Sequence, residues 1–241
     1  MRLKKGEKRH PKWDELVSDL VNNCQHYHDS FYKKAIFSGP SHYFHIRALN
    51  AVLEEKSEMT YAMLASWGMH RMGGGPQMNE YKIFEQSILA VSNKIESFKE
   101  KTLEHLSEEE MDELKDVFDT LNPMRSKIKI VAVSKILAHY LPNVIAPIDN
   151  EYTFQFIGQI PKRKNPPRHW QPFDLFKSVH LRLFKKVISD EKFSSLAQNW
   201  IKNPEYMWDT SLPKIVDNLI IGKIGDLKAN DERYKKGNLH R

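Results

Sequence analysis

Cysteine is almost missing from this chain of 241 residues: Cys24 stands alone. No intrachain disulfide can form, and a reducing compartment fits. No apolar run approaches the ~18 residues that a membrane span needs. The start, MRLKKGEKRHPKW, is basic and polar, with no apolar signal-peptide stretch behind it, so a cytoplasmic protein is expected. Glycine is scarce at 10 residues, three of them in the run before Pro76. That run lacks the Gly-Lys-Ser/Thr ending of a Walker phosphate loop. A clustered carboxylate pair with matching ligands is also missing, which argues against a metal nuclease. His26 and His28 point to different helix faces, so neither a metal nor another cofactor is expected. There is no internal repeat and no low-complexity tract.

What the chain does have is positive charge. The formal net charge is +6 and the isoelectric point about 9.1, which favours a polyanionic partner. Basic residues gather in 2–12, in 162–168 and from 223 onward, while 108–119 is acidic. The terminal clusters read either as solvated tails or as phosphate contacts. The internal cluster PKRKNPPRHW joins two helices shortly after Asp149. Its Lys162, Arg163, Lys164 and Arg168 could neutralise several phosphates, a salt-dependent and sequence-independent contribution to affinity.

Apolar residues recur at helical spacing through most of the chain, which predicts an all-α fold of about ten helices, either as one body or as two lobes flanking a basic cleft. A single helical domain is expected over 13–221, between basic tails at 1–12 and 222–241. The first helix, over 13–34, carries Asn23, whose amide offers a donor and an acceptor suited to a base edge; plain surface polarity is the other reading. Ser41 is read as the N-cap of the next helix. That helix places His42 and His45 on one face beside Tyr43 and Phe44, either as core or as the flat walls of a base pocket. A helix over 58–68 ends in ASWGMHRMGGGPQ. Trp67 there is counted with the substrate-binding residues. His70 and Arg71 could contact a phosphate or a hydroxylated base, and Gln77 could act as a wedge where a base has left the stack. Ser107 and Glu110 spell a capping box. Further helices are expected over 172–189, 193–201 and 211–221, with Trp200, Tyr206 and Trp208 packing the C-terminal part.

The chain is organised around 134–156, SKILAHYLPNVIAPIDNEYTFQF. Ile136, Leu137, Tyr140 and Leu141 form an apolar helical face, Pro142 stops that helix, and Pro147 keeps the chain extended before Asp149. Asp149 is expected to open the next helix as its N-cap. It is either a structural cap or an ionised carboxylate fixed at a groove, able to stabilise developing positive charge or hold a water.

Helix, apolar-Pro turn and Asp resemble the end of the helix-hairpin-helix motif of DNA glycosylases, with Asp149 at the catalytic position. Lys135 falls near the place where some members carry a catalytic Lys after the hairpin, and Ser134 beside it is counted with the DNA contacts. The hairpin glycines are missing from KIKIVAVSK, and the Lys-to-Asp interval is short. GPSHYFHIRAL, YAMLASWGMHRMGGG and HYLPNVIAPIDNEYTF also resemble three blocks of an uncharacterised prokaryotic family, some of whose relatives are connected with anti-phage DNA glycosylases. The resemblance implies double-stranded DNA as partner, with no membrane and no obligate protein partner. It implies hydrolytic release of a modified base, such as a glucosylated hydroxymethylcytosine of phage DNA, to leave an abasic site. A non-catalytic helical DNA-binding module or defence effector, with Asp149 only a cap, remains the alternative.

Overall fold

The computed structural model describes residues 11–33, 39–70, 77–126, 129–158 and 171–230. The regular structure of these residues is all helical, with no strand among them. Their one extended pairing is an isolated antiparallel bridge between Met78 and Met124. No described helix is long and apolar enough to cross a membrane. The basic cluster with Lys162, Arg163, Lys164 and Arg168, and also Arg71, lies outside the described residues, as do most of the basic stretches at either end.

The centre of the molecule is α8 (Ile130–Tyr140), in which every residue from Ala132 to Tyr140 is buried. Its sequence, IVAVSKILAHY, carries apolar residues on every face, as a helix enclosed by others does. The helices α3 (Pro40–Asn50), α4 (Leu53–Leu64) and α10 (Pro172–Val179) pack around it. The buried apolar side chains form one contiguous cluster from Leu20 to Ile224, which α7 (Glu108–Thr120) joins through Met111, Leu114, Val117 and Phe118. Ser107 caps α7 by the reciprocal box with Glu110 that the sequence spells. Between α4 and α8 lie α5 (Tyr81–Leu89) and α6 (Ser92–Glu96), and α8 leads through a turn to the short α9 (Thr153–Phe156).

Several boundaries differ from expectation for identifiable reasons. The first helix is not continuous: α1 (Trp13–Asn22) and α2 (Cys24–Lys33) meet at Asn23. The Asn23 amide donates back to the Asp19 carbonyl and carboxylate, competing with the regular ladder. Ser41 is not the cap of α3; Gly39 occupies that place at φ 73°, and Pro40, preset for a first turn, follows it. The π-turn Ala65–Met69 closes α4, with Gly68 at φ 75°. A second π-turn, His180–Phe184, joins α10 to α11 (Lys185–Ile188), and α12 (Glu191–Lys202) follows.

The last helix, α13 (Leu212–Asn230), does not stop near 221 but runs on, with Ile224 buried, so 222–230 belongs to the folded body rather than to a tail. It lies along α2 at a distance that only glycine allows. A Cβ added at Gly222 meets the Tyr27 carbonyl oxygen at 2.0 Å. Gly222→Ala gains about 1 kcal/mol of helix propensity, but backbone meeting a methyl group costs more, about 1–3 kcal/mol or above. A lower urea midpoint for Gly222→Ala than for the parent is expected; a rise would show that α2 and α13 are not in this close contact.

Candidate functional site

The polar side chains of α8 cannot reach bulk water, so each has found an internal partner. The Ser134 hydroxyl donates to the Val131 carbonyl and accepts the Ile148 N–H at 2.9 Å. Lys135 extends its ammonium to Asp149 Oδ2 at 3.0 Å. His139 donates from Nδ1 to the Lys135 carbonyl at 2.7 Å and accepts at Nε2 from His45 Nδ1 at 2.8 Å. From the other side His180 accepts the Ala146 N–H at Nε2, 3.1 Å, while its Nδ1 donates to the Phe176 carbonyl. Residues 146–148 are thus pinned by His180 and Ser134 two residues apart, and Asp149 follows directly.

Asp149 does not open a helix. Residues 150–152 form a turn, and α9 begins only at Thr153. The carboxylate caps this turn instead: Oδ1 accepts the Glu151 N–H at 2.7 Å, and the Asp149 N–H donates to the Thr153 hydroxyl. Pro147 and the pinned Ile148 hold the chain extended up to 149, and the Asp149 carbonyl accepts the Phe154 N–H at 3.0 Å across the turn. Burial opposes the charge on Asp149. The Lys135 ammonium and the N–H groups of Glu151 and Tyr152 outweigh it and hold the carboxyl below its ordinary range. The side chain of Lys135 is 8% exposed and that of Asp149 29%, so the carboxylate reaches open space while its partner does not.

That space is a cavity of about 270 Å³. Its flat surfaces come from Trp67, Trp208, Phe31 and Tyr152. The Trp67 N–H donates to the Ser41 carbonyl, and the π-turn with its left-handed Gly68 carries the indole to this position. The rings of Trp67 and Trp208 stand 6.4 Å apart at 39°. His45 stacks on Trp208 from behind at 5.0 Å.

The charged lining is paired twice over. The Lys135 ammonium lies 5.4 Å from the Trp67 ring centre and bonds to Asp149. The Lys214 ammonium lies 5.3 Å from that of Trp208 and bonds to Asp217 Oδ2 at 2.8 Å and to Asn218 Oδ1. Asn218 continues inward to Asp209, which bonds His28 Nε2 at 2.7 Å, and His28 stacks on Trp200. Burial pushes the Asp217 carboxyl up; Lys214 opposes this and the negative Asp149 adds to it. One cavity therefore holds two carboxyl groups displaced in opposite directions.

Among the expected site residues, Asp149, Lys135 and Trp67 come together at this cavity, with His45 one ring behind it. Others do not join them. Ser134 is fully buried, so a phosphate cannot reach it, and its hydroxyl holds the turn before Asp149 instead. Asn23 faces solvent at a separate groove on the α1–α2 junction, its amide spent on Asp19. Tyr43 and His70 are exposed away from the cavity lining, and Gln77 accepts from the Arg125 side chain. Lys214, Asp217 and Trp208 were not anticipated as site residues. The signal was available in LPKIVDNLII, where two charges and an amide interrupt an apolar run at i, i+3 and i+4. Among the described residues, no group of three or more His, Cys, Asp or Glu side chains is arranged to hold a metal ion. Comparison with protein-family models, with curated proteins and with solved structures finds no match.

Removing one partner of a buried ion pair strands the other, at about 3–5 kcal/mol. Lys135→Met and Asp149→Leu are each expected to destabilise on this scale, and the double variant to cost clearly less than their sum in urea unfolding. Strict additivity would mean the two groups do not interact. The buried histidines set the acid side of stability. Burial lowers His180 from 6.5 to about 4 and His139 to about 3, and lowers His45 as well. The unfolded chain therefore binds more protons than the folded one below 6.5, and stability present above that pH drains away as pH falls toward 4. The slope is roughly 1.4 kcal/mol per pH unit for each such histidine. Urea midpoints measured at successive pH values should fall steeply through this window, and less steeply in His180→Gln.

Proposed function

We propose that this chain is a DNA glycosylase of helix-hairpin-helix type that hydrolyses the base–deoxyribose bond of a bulky modified base, best represented by glucosylated hydroxymethylcytosine in phage DNA, in defence against phage. It leaves an abasic site and works in the cytoplasm on double-stranded DNA, with its basic segments neutralising phosphates. The observation that carries this reading is a carboxylate held ionised, on a doubly pinned backbone, at the mouth of an aromatic-walled cavity. As the base departs, positive charge builds on the sugar. Asp149 meets that charge without reorganising, and it can orient the attacking water. The faces of Trp67 and Trp208, tilted 39° to one another on the cavity wall, suit contact with a nucleobase turned out of the duplex, whose extrusion costs a few kcal/mol.

Two features of the site bear on how the bond is cut. The Lys135 ammonium is tied to Asp149 and lies across Trp67, so hydrolysis rather than Schiff-base chemistry is favoured, and borohydride should trap no enzyme–DNA adduct. The same buried ion pair also fits a second reading, a non-catalytic DNA-binding module in which Asp149 only anchors the turn.

The test incubates the protein with unmodified DNA and with glucosylated phage DNA in the presence of chelator. Released bases are read by mass spectrometry and abasic sites by alkaline cleavage. Release from the modified DNA, lowered about 10²–10³-fold in Asp149→Asn, is expected. Intact binding with no base released from either DNA would leave the module reading standing.

A further inference from the structure

The chemistry assigned to Asp149 leaves one carboxylate oxygen of the cavity without a task. Both oxygens of Asp149 already accept, Oδ1 from the Glu151 N–H and Oδ2 from the Lys135 ammonium. Glu151 is exposed and bound to Lys228. Asp217 is different. Its side chain is 5% exposed and lines the cavity, and its Oδ2 accepts from the Lys214 ammonium at 2.8 Å, the geometry of an ionised carboxylate. Its Oδ1 has no hydrogen-bond partner among the described residues, yet it is not one of the unpartnered polar atoms sealed inside the protein. It therefore faces open space, and the open space beside Asp217 is the cavity.

A charged oxygen taken out of bulk water and left without a donor is costly to the fold, and a ligand that brings a donor removes that cost. Lys214 adds a second unfilled group. Its ammonium gives N–H bonds to Asp217 and Asn218, and its third N–H has no hydrogen-bond partner among the described residues. The ammonium lies 5.3 Å from the Trp208 ring centre and 5.8 Å from that of Phe31. Asn218 is tied in turn to Asp209 and to the Trp208 carbonyl, which holds the group in place. An acceptor and a donor thus stand side by side, next to an indole against which a planar ligand can lie. A nucleobase edge has the same composition, with donors and acceptors on neighbouring atoms of a flat ring.

Resting on the glycosylase reading, we propose that Asp217 selects the base, its Oδ1 accepting the exocyclic amine of a cytosine-type base while Lys214 donates to the neighbouring ring nitrogen N3. Cytosine carries that donor and that acceptor side by side, and a carboxylate is a natural acceptor for its amine. A uracil-type base has an oxygen in place of the amine and an N–H in place of the accepting nitrogen. In the same pose its oxygen meets the carboxylate and its N–H meets the ammonium, two repulsions in place of two bonds. The selection acts through the edge of the ring and is separate from the sugar, which Asp149 meets.

The experiment compares two duplexes that differ only in this edge, one with glucosylated hydroxymethylcytosine and one with glucosylated hydroxymethyluracil. Each modified base stands opposite a tetrahydrofuran spacer, so that pairing strength does not enter. Single-turnover release by the full chain is read by mass spectrometry. Wild type is expected to release the cytosine-type base about 10–100-fold faster. In Asp217→Asn the Lys214 ammonium claims the amide oxygen, which turns the amide N–H donors toward the cavity where an acceptor stood. The preference should then fall to parity or reverse, whereas a residue that only supports the fold would slow both releases alike and leave their ratio unchanged. That ratio does not depend on how much of the variant is folded. Equal release of the two bases by wild type overturns the proposal. So does a wild-type ratio in Asp217→Asn, or a variant inactive on both, which assigns the residue to folding. If wild type releases neither base, the glycosylase reading falls, and titration of the two free nucleosides by tryptophan fluorescence decides the edge separately. A preference for the cytosine nucleoside upholds Asp217 as the reader of a bound base, and equal or absent binding overturns that too.

Discussion

A lysine on a helix that is enclosed on every side has to bring its counter-charge into the protein with it. Lys135 sits in the middle of α8, among residues that are all buried, and the protein meets its charge by folding the segment after α8 back until Asp149 lies within 3.0 Å. The path of residues 141–152 follows from that need. Pro142 and Pro147 keep this stretch out of a helix, Ser134 and His180 hold its N–H groups, and the Glu151 N–H closes the turn on the carboxylate. Breaking the pair would leave an uncompensated ammonium at the centre of the core, so the position of Asp149 is as firmly specified as the core itself.

The second pair obeys the same constraint from another helix. Lys214 and Asp217 lie three residues apart on α13 and need no long return of the chain. The cost of burying them is offset by a network running inward to His28 rather than by backbone amides. That difference in partners separates the two carboxyl groups electrostatically. Asp149 has N–H donors that favour its anion, while Asp217 has burial and a neighbouring negative charge that disfavour it. Two residues of identical intrinsic acidity are therefore displaced in opposite directions at one cavity.

Much of this was legible in the sequence where the signal is local. Helical periodicity gave the all-helical class; Ser107 and Glu110 gave a helix start; Asp149 stood out from the Pro-bounded segment around it. The contact between Lys135 and Asp149 was not legible, because an interval of fourteen residues across a turn carries no periodic signature. Trp208, Lys214 and Asp217 were missed for the related reason that α13 reads as an ordinary amphipathic helix until its charges are seen to face the cavity. Ser134 and Asn23 show the converse. Each has a side chain chemically suited to a ligand, and each is spent on nearby polar groups of the chain itself, which composition does not reveal.

The cavity draws its walls from the whole length of the protein. Phe31 and Ser41 come from the first quarter, Trp67 from the π-turn, Lys135 and Asp149 from the middle, and Trp208 and Asp217 from near the end. Such a site has no precursor in any fragment. A chain that has been made only as far as α9 carries the Lys135–Asp149 pair but not the wall that α13 provides, and it cannot enclose a ligand there until α13 has been made and has packed. An order of assembly that completes the cavity last ties any activity there to a fully folded molecule.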